Sequence, residues 1–124
     1  MISCGTDIVK VDRIKDSIEK YGETFIKKIY TDEEINYCES RRMCKYESYA
    51  ARFAAKEATY KAICSNKNFD ASWRDVEICK YESGKPFIKL HGEIEKIAEQ
   101  KNIKNIDVTL SHENEFAIAC VVMD

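Results

Sequence analysis

Asp7, near the N-terminus, and Glu57, inside Arg52-Phe-Ala-Ala-Lys-Glu-Ala-Thr-Tyr-Lys-Ala62, are the two carboxylates in this chain whose surroundings ask for chemistry. Projected on a helix at about 100° per residue, Tyr46, Tyr49, Phe53, Tyr60 and Cys64 share one arc, and Ala51, Ala54, Ala55, Ala58 and Ala62 share another. This pattern predicts a helix covered on both flanks, with the alanines admitting a second backbone at close range. Glu57 projects into the aromatic arc. A carboxylate on a packed side is costly unless a cation, a metal or hydrogen bonds neutralise it. Lys61, four residues on, is one partner, but an exposed pair of that kind contributes only about 0.2–0.5 kcal/mol. A divalent cation compensates better.

If the N-terminal strand lies beside this helix, Asp7 and Glu57 converge. Two carboxylates with waters make an oxygen site suited to Mg²⁺, which keeps several waters and recruits substrate phosphates. Arg52, Lys56 and Lys61 on the same helix then offer cations to a polyphosphate, an inventory that fits phosphoryl chemistry on a diphosphate ester.

The elements that must position these groups read as follows. Ile2, Cys4, Thr6 and Ile8 alternate with Ser3, Gly5, Asp7 and Val9 in a strand that ends soon after Asp7. A helix begins at Asp12 as N-cap and runs to Gly22. A further turn or two carries Phe25, Ile26 and Ile29. Thr31-Asp-Glu-Glu34 is a capping box that opens another helix through about Ser40, and Arg41 and Arg42 lead into the central helix. Residues 65–74 read as a loop. Strands around Val76–Ile78 and Pro86–Leu90 flank a hairpin turn at Glu82-Ser-Gly-Lys85. A short helix carries Ile94, Ile97 and Ala98, and a final antiparallel pair spans Ile106–Ser111 and Phe116–Met123. The order β, α, α, α, β, β, α, β, β predicts an α+β fold in which a mainly antiparallel sheet packs against the long central helix.

Length and composition narrow the function classes. With 124 residues, 44% of them hydrophobic, residues 1–124 form a single domain. Its 20 basic and 22 acidic residues nearly cancel, so no overall field favours nucleic acid or an acidic membrane. There is no apolar run long enough to span a membrane and no leader pattern, which predicts a cytoplasmic, unprocessed protein. The six cysteines contain no C-x-x-C and read as reduced, mostly buried small hydrophobes. His91, beside Gly92, reads as a solvated loop residue. Among the four glycines, Gly5 before Asp7 and Gly84 before Lys85 are the two with a backbone role to fill.

Four segments resemble one family in order and spacing. Gly5-Thr6-Asp7, the Arg52–Ala62 stretch, Ser83-Gly-Lys-Pro86 and Thr109-Leu-Ser-His112 look like the successive motifs of the phosphopantetheinyl transferases, and most closely of the small holo-acyl-carrier-protein synthases. The resemblance covers nearly the whole chain. It implies the 4′-phosphopantetheinyl transferase fold, Mg²⁺ as cofactor, and transfer of the 4′-phosphopantetheine arm of coenzyme A to a serine of apo acyl carrier protein. Adenosine 3′,5′-bisphosphate would be released, in the service of fatty acid biosynthesis.

By motif position the resemblance implies that Asp7 and Glu57 hold the metal and that Lys61 contacts the phosphates. Arg52 and Lys56 would help hold coenzyme A. Gly84, Lys85 and Pro86 would border the coenzyme pocket, and Ser111 and His112 would contact substrate. Either Glu57 or a metal-bound water takes the serine proton. Arg13 is the candidate for docking the acidic carrier protein. The family's small members are homotrimers with active sites at subunit interfaces, so the motifs near Ser83 and Ser111 would serve a neighbour's Asp7 and Glu57. One departure is the sequence Ala62-Ile-Cys-Ser-Asn66, where the family often has a Gly-rich turn.

Two other classes fit the same residues. A Mg²⁺-dependent coenzyme A or nucleotide pyrophosphohydrolase would use the two carboxylates for attack by water. A non-enzymatic coenzyme- or carrier-binding module would leave them structural.

Overall fold

The computed structural model describes residues 1–63 and 72–124. The chain runs β1 (Ser3–Lys10), α1 (Val11–Tyr21), α2 (Glu23–Ile29), α3 (Asp32–Ser40), a 3-10 turn (Arg42–Cys44) and α4 (Lys45–Ile63). A second 3-10 turn (Trp73–Asp75) leads to β2 (Val76–Lys80), β3 (Pro86–Leu90), α5 (Gly92–Gln100), β4 (Ile106–His112) and β5 (Phe116–Met123). The α+β fold is as the sequence predicts. Its strands divide into two antiparallel sheets, β1-β5-β4 and the hairpin β2-β3.

The alanines of α4 fulfil the role their spacing assigns. Ala50, Ala51, Ala54, Ala55, Ala58 and Ala62 are buried, and β1 lies against them. A β-carbon on Gly5 would overlap the Ala58 carbonyl oxygen and lie 2.9 Å from the Ala62 amide. Only glycine fits there, so the helix and strand backbones meet directly. From β5, Ala117, Ala119, Val121 and Met123 complete that interface, all at most 1% exposed.

Strand alternation sends the intervening residues to the other face. Cys4, Thr6, Ile8, Thr109, Ser111, Ile118, Cys120 and Val122 are exposed there. Ile8 is 60% and Ile118 43% accessible.

Local signals hold at several boundaries. Thr31 and Glu34 form the predicted capping box: Thr31 Oγ1 accepts from the Glu34 amide at 3.3 Å and Glu34 Oε1 from the Thr31 amide at 2.8 Å. Gly22, at φ 57°, ends α1. Gly84, at φ 92°, makes the β2–β3 turn with the left-handed backbone that favours glycine.

Other expectations are corrected. Asp12 lies in the first turn of α1 rather than at its cap, because Lys10 occupies that position without a side-chain bond. His91 is not a free loop residue: Nε2 lies 3.0 Å from Glu77 Oε1 at the start of α5. The five described cysteines are free thiols, but only Cys38 is buried, whereas Cys4, Cys44 and Cys120 are exposed. Cys64, most of the predicted 65–74 loop and the departure at Cys64–Asn66 lie outside the described residues. Among those described, no helix is long and apolar enough to cross a membrane.

Candidate active site

Glu57 does not carry the burial its helical projection suggests. Tyr49 alone of the described aromatic arc is buried, and Tyr46, Phe53, Glu57 and Tyr60 share a half-buried flank. Phe53 stacks on Trp73 at 5.1 Å between centroids, which covers that part of the arc only in part. Among the described residues, no ion pair or hydrogen bond engages the Glu57 carboxylate.

Lys61, its neighbour one turn on, turns to β1 instead. Its ammonium donates to Asp7 Oδ1 at 3.0 Å and to the Thr6 carbonyl at 3.1 Å. Because residues four apart on a helix have β-carbons about 6 Å apart, this bond puts Asp7 beside the same end of α4 that presents Glu57. The Asp7 side chain is 17% exposed and that of Lys61 is 49% exposed. The donors available are hard carboxylate oxygens on two side chains, both partly exposed to solvent, which is the set Mg²⁺ accepts together with water. Among the described residues, no cluster of three or more His, Cys, Asp or Glu competes as a metal site.

The expected phosphate role of Lys56 is not met. Its side chain is fully buried, paired with Glu34 Oε1 at 2.8 Å, with further donation to the carbonyls of Val76 at 2.6 Å and Trp73 at 3.1 Å. All three N–H donors are thereby committed. Burial pulls its pKa below the ordinary lysine value, against the pull of the Glu34 charge. The other Glu34 oxygen accepts from the Ile78 amide at 2.9 Å. Lys56 therefore ties α4, α3 and β2 together.

Arg52 stands elsewhere. It is 4% exposed, with its guanidinium carbon 4.2 Å from the centre of the Tyr37 ring and Nη1 3.5 Å from the Ser48 carbonyl. Its buried Nε has no partner among the described residues. The guanidinium borders a cleft of about 190 Å³ that also collects Gly84, Pro86 and His112, three of the residues singled out from the hairpin motifs. Tyr37, Arg41, Ser48 and Lys80 join them there. Lys80 donates to the Tyr37 hydroxyl at 3.0 Å. Burial would raise the Tyr37 pKa, but Lys80 outweighs it and holds the phenol below its ordinary value.

These four were not legible as site residues. The Arg41–Arg42 pair was the one available signal, and nothing local tied it to the hairpin at Gly84.

Two motif residues point away from this cleft. Lys85 sends its ammonium to Asp107 Oδ1 at 2.6 Å, a bond that holds the Asp107 carboxyl below its usual range. Ser111 lies on the open face of β4, opposite Ile118. Successive strand residues face opposite sides, so Ser111 and His112 cannot both contact one ligand from the same side. Arg13 is exposed on α1, and no ion pair engages its side chain among the described residues.

Around the axis of α4, Arg52 and Glu57 project about 140° apart, so the two halves of the machinery open on different flanks.

Comparison with known proteins agrees with this architecture. Residues 3–121 match the 4′-phosphopantetheinyl transferase superfamily. A holo-[acyl-carrier-protein] synthase of Solibacter usitatus is 44% identical over 124 residues, covering 100% of this chain and 98% of the relative. One from Ruminiclostridium cellulolyticum is 45% identical, over 96% of this chain and 89% of its own. The crystal structure of the Neisseria meningitidis enzyme superposes with a TM-score of 0.88 at 32% identity, covering 100% of this chain and 99% of that one. The Helicobacter pylori enzyme in complex with coenzyme A gives 0.84 at 31%, with 100% of both chains covered.

Proposed function

The chain belongs to the 4′-phosphopantetheinyl transferase superfamily, and from that premise we propose how its own residues carry out the transfer. The protein moves the 4′-phosphopantetheine group of coenzyme A to a serine of apo acyl carrier protein. It is thus a transferase rather than a pyrophosphohydrolase or a passive binding module. The observation that carries our assignment of roles is the Lys61 bond to Asp7, which ties the N-terminal carboxylate to a residue of α4 one turn from Glu57.

Asp7 and Glu57 fit Mg²⁺ by donor chemistry. When bound, the ion supplies charge neutralisation at the diphosphate, which makes the leaving phosphate easier to expel. Lys61 contributes an ammonium at the same point. The attacking serine must lose a proton, and we assign its acceptance to Glu57, whose carboxylate has one oxygen for the cation and a second for the proton. The reaction then forms a phosphoester bond to the serine and breaks the phosphoanhydride, leaving adenosine 3′,5′-bisphosphate.

Arg52, Gly84, Pro86 and His112 supply the other half of the coenzyme site, with Arg41 and Lys80 adding positive charge. Because that cleft opens on a different flank of α4 from Glu57, we assign it to the coenzyme held by a neighbouring copy's Asp7 and Glu57. The apolar residues Ile8, Ile118 and Val122 on the open sheet face suit self-association, and a homotrimer with sites between subunits satisfies both features. Arg13 is the docking residue for the acidic carrier. Arg13→Glu should raise the KM for carrier with little change in kcat; an unchanged KM removes the residue from that role. A cytoplasmic location accords with this chemistry.

Incubating the protein with coenzyme A, Mg²⁺ and an apo carrier protein, followed by intact-mass measurement of the carrier, tests the assignment. Wild-type protein should add one phosphopantetheine per carrier. Glu57→Gln should lower the rate by at least about 100-fold with an unchanged melting temperature. Normal turnover by that variant would exclude Glu57 from the mechanism.

A further inference from the structure

We propose that Lys61 is the counter-ion of Asp7, and that passing its ammonium from Asp7 to a diphosphate makes the binding of a divalent cation and of the diphosphate interdependent. The proposal rests on the assignment of Asp7 and Glu57 as cation ligands.

Glu57 precedes Lys61 by four residues, the orientation in which helical Glu–Lys pairs are favourable. The lysine nevertheless reaches across to β1, where Asp7 Oδ1 at 3.0 Å and the Thr6 carbonyl at 3.1 Å both accept from it. One of the two Asp7 oxygens is therefore already engaged by an ammonium, and the carboxylate charge that a cation would meet is partly neutralised. A divalent ion arriving alone either displaces that contact or binds the second oxygen with the ammonium still in place, and in both cases it bears the repulsion of a positive charge tethered one helical turn from Glu57. Half-exposed Lys61 is able to swing to a new anion, whereas Asp7 is largely covered on a strand paired with β5 and packed against α4.

A diphosphate changes the balance. Its oxygens accept from the lysine while also offering ligands to the cation. Cation and diphosphate each remove a penalty faced by the other, and such coupling is reciprocal in equilibrium binding. Lys61 therefore makes the site accept the pair together much better than either member singly.

The test is titration of Mn²⁺ into chelator-treated full-length protein, reading free Mn²⁺ by electron paramagnetic resonance. It is run with and without coenzyme A, correcting for metal bound by the coenzyme in buffer. Lys61→Met should tighten the binding of Mn²⁺ alone by about fivefold, the scale of removing an exposed ion pair, and lose most of the tightening that coenzyme A produces in the wild type. Lys61→Arg, which keeps the charge, should retain wild-type affinity and coupling.

Mn²⁺ binding no tighter in Lys61→Met than in the wild type overturns the proposal. Asp7→Asn separates the two levels of the argument. If it abolishes Mn²⁺ binding while Lys61→Met fails to tighten it, only the counter-ion role is wrong; if Asp7→Asn binds Mn²⁺ as the wild type does, the cation site itself is misassigned.

Discussion

Gly5 on β1 and Ala58 on α4 are in backbone-to-backbone contact, with no space between them for a single methyl group. Gly5→Ala must push the strand off the helix, and because Asp7 follows two residues later, the displacement reaches the carboxylate. Thermal unfolding should show a loss of at least about 1–3 kcal/mol, together with a fall in transferase rate. Unaltered stability and rate would mean that this contact does not position Asp7.

Lys56→Met leaves the Glu34 carboxylate buried without its cation. A broken buried pair of this kind costs about 3–5 kcal/mol, which denaturant unfolding should register as a lower midpoint. Removing both charges in Glu34→Gln with Lys56→Met should recover part of the loss. A Lys56→Met protein as stable as wild type but unable to bind coenzyme A would instead restore the lysine to the phosphate site.

Acid should weaken the fold through Glu77. Burial alone would raise its pKa, but hydrogen bonds with His91 and from Thr31 outweigh burial and hold it below its ordinary value of 4.5. A carboxylate depressed in the folded state contributes stability that is present above its unfolded pKa and is lost as pH falls through the folded one. Melting temperature should therefore decline from about pH 5 downward, and Glu77→Gln should flatten that decline. An acid limb identical in the variant would show that other groups govern it.

Subunits crippled in different halves should rescue one another. Asp7→Ala and Arg52→Gln chains, each inactive alone, should give active protein when co-expressed, because some interfaces then pair an intact carboxylate half with an intact cationic cleft. Ile118→Asp, placing charge on the apolar sheet face, should lower the mass seen by light scattering and abolish activity with it. No rescue in the co-expressed protein would confine the site to one chain.

The order of elements was legible because each carries a local signature: the Thr31–Glu34 box, Gly22 and Gly84 at turns, and alternation in β1 and β5. The alanine flank of α4 was legible for the same reason, since side-chain size and helical spacing together require a close neighbour. The environments of charged groups were not. Lys56 and Glu57 are adjacent in sequence and both looked suited to phosphate chemistry, yet one is sealed between α3 and β2 while the other is half-exposed. That difference depends on Glu34 and on the Val76 and Trp73 carbonyls, far away in sequence. Likewise, the cleft beside Arg52 needs Lys80 and Arg41, which only the packing of the hairpin on α3 and α4 brings together.

Anyone wishing to graft this helix onto a different scaffold would find the motif incomplete as a peptide. Carried over by itself, it would bring along an inward-pointing ammonium with nothing to receive it, and the host would have to provide an acidic residue and two spare peptide oxygens at the matching spot. The portable unit is the helix together with the first turn of α3, the Trp73–Asp75 turn and the opening of β2.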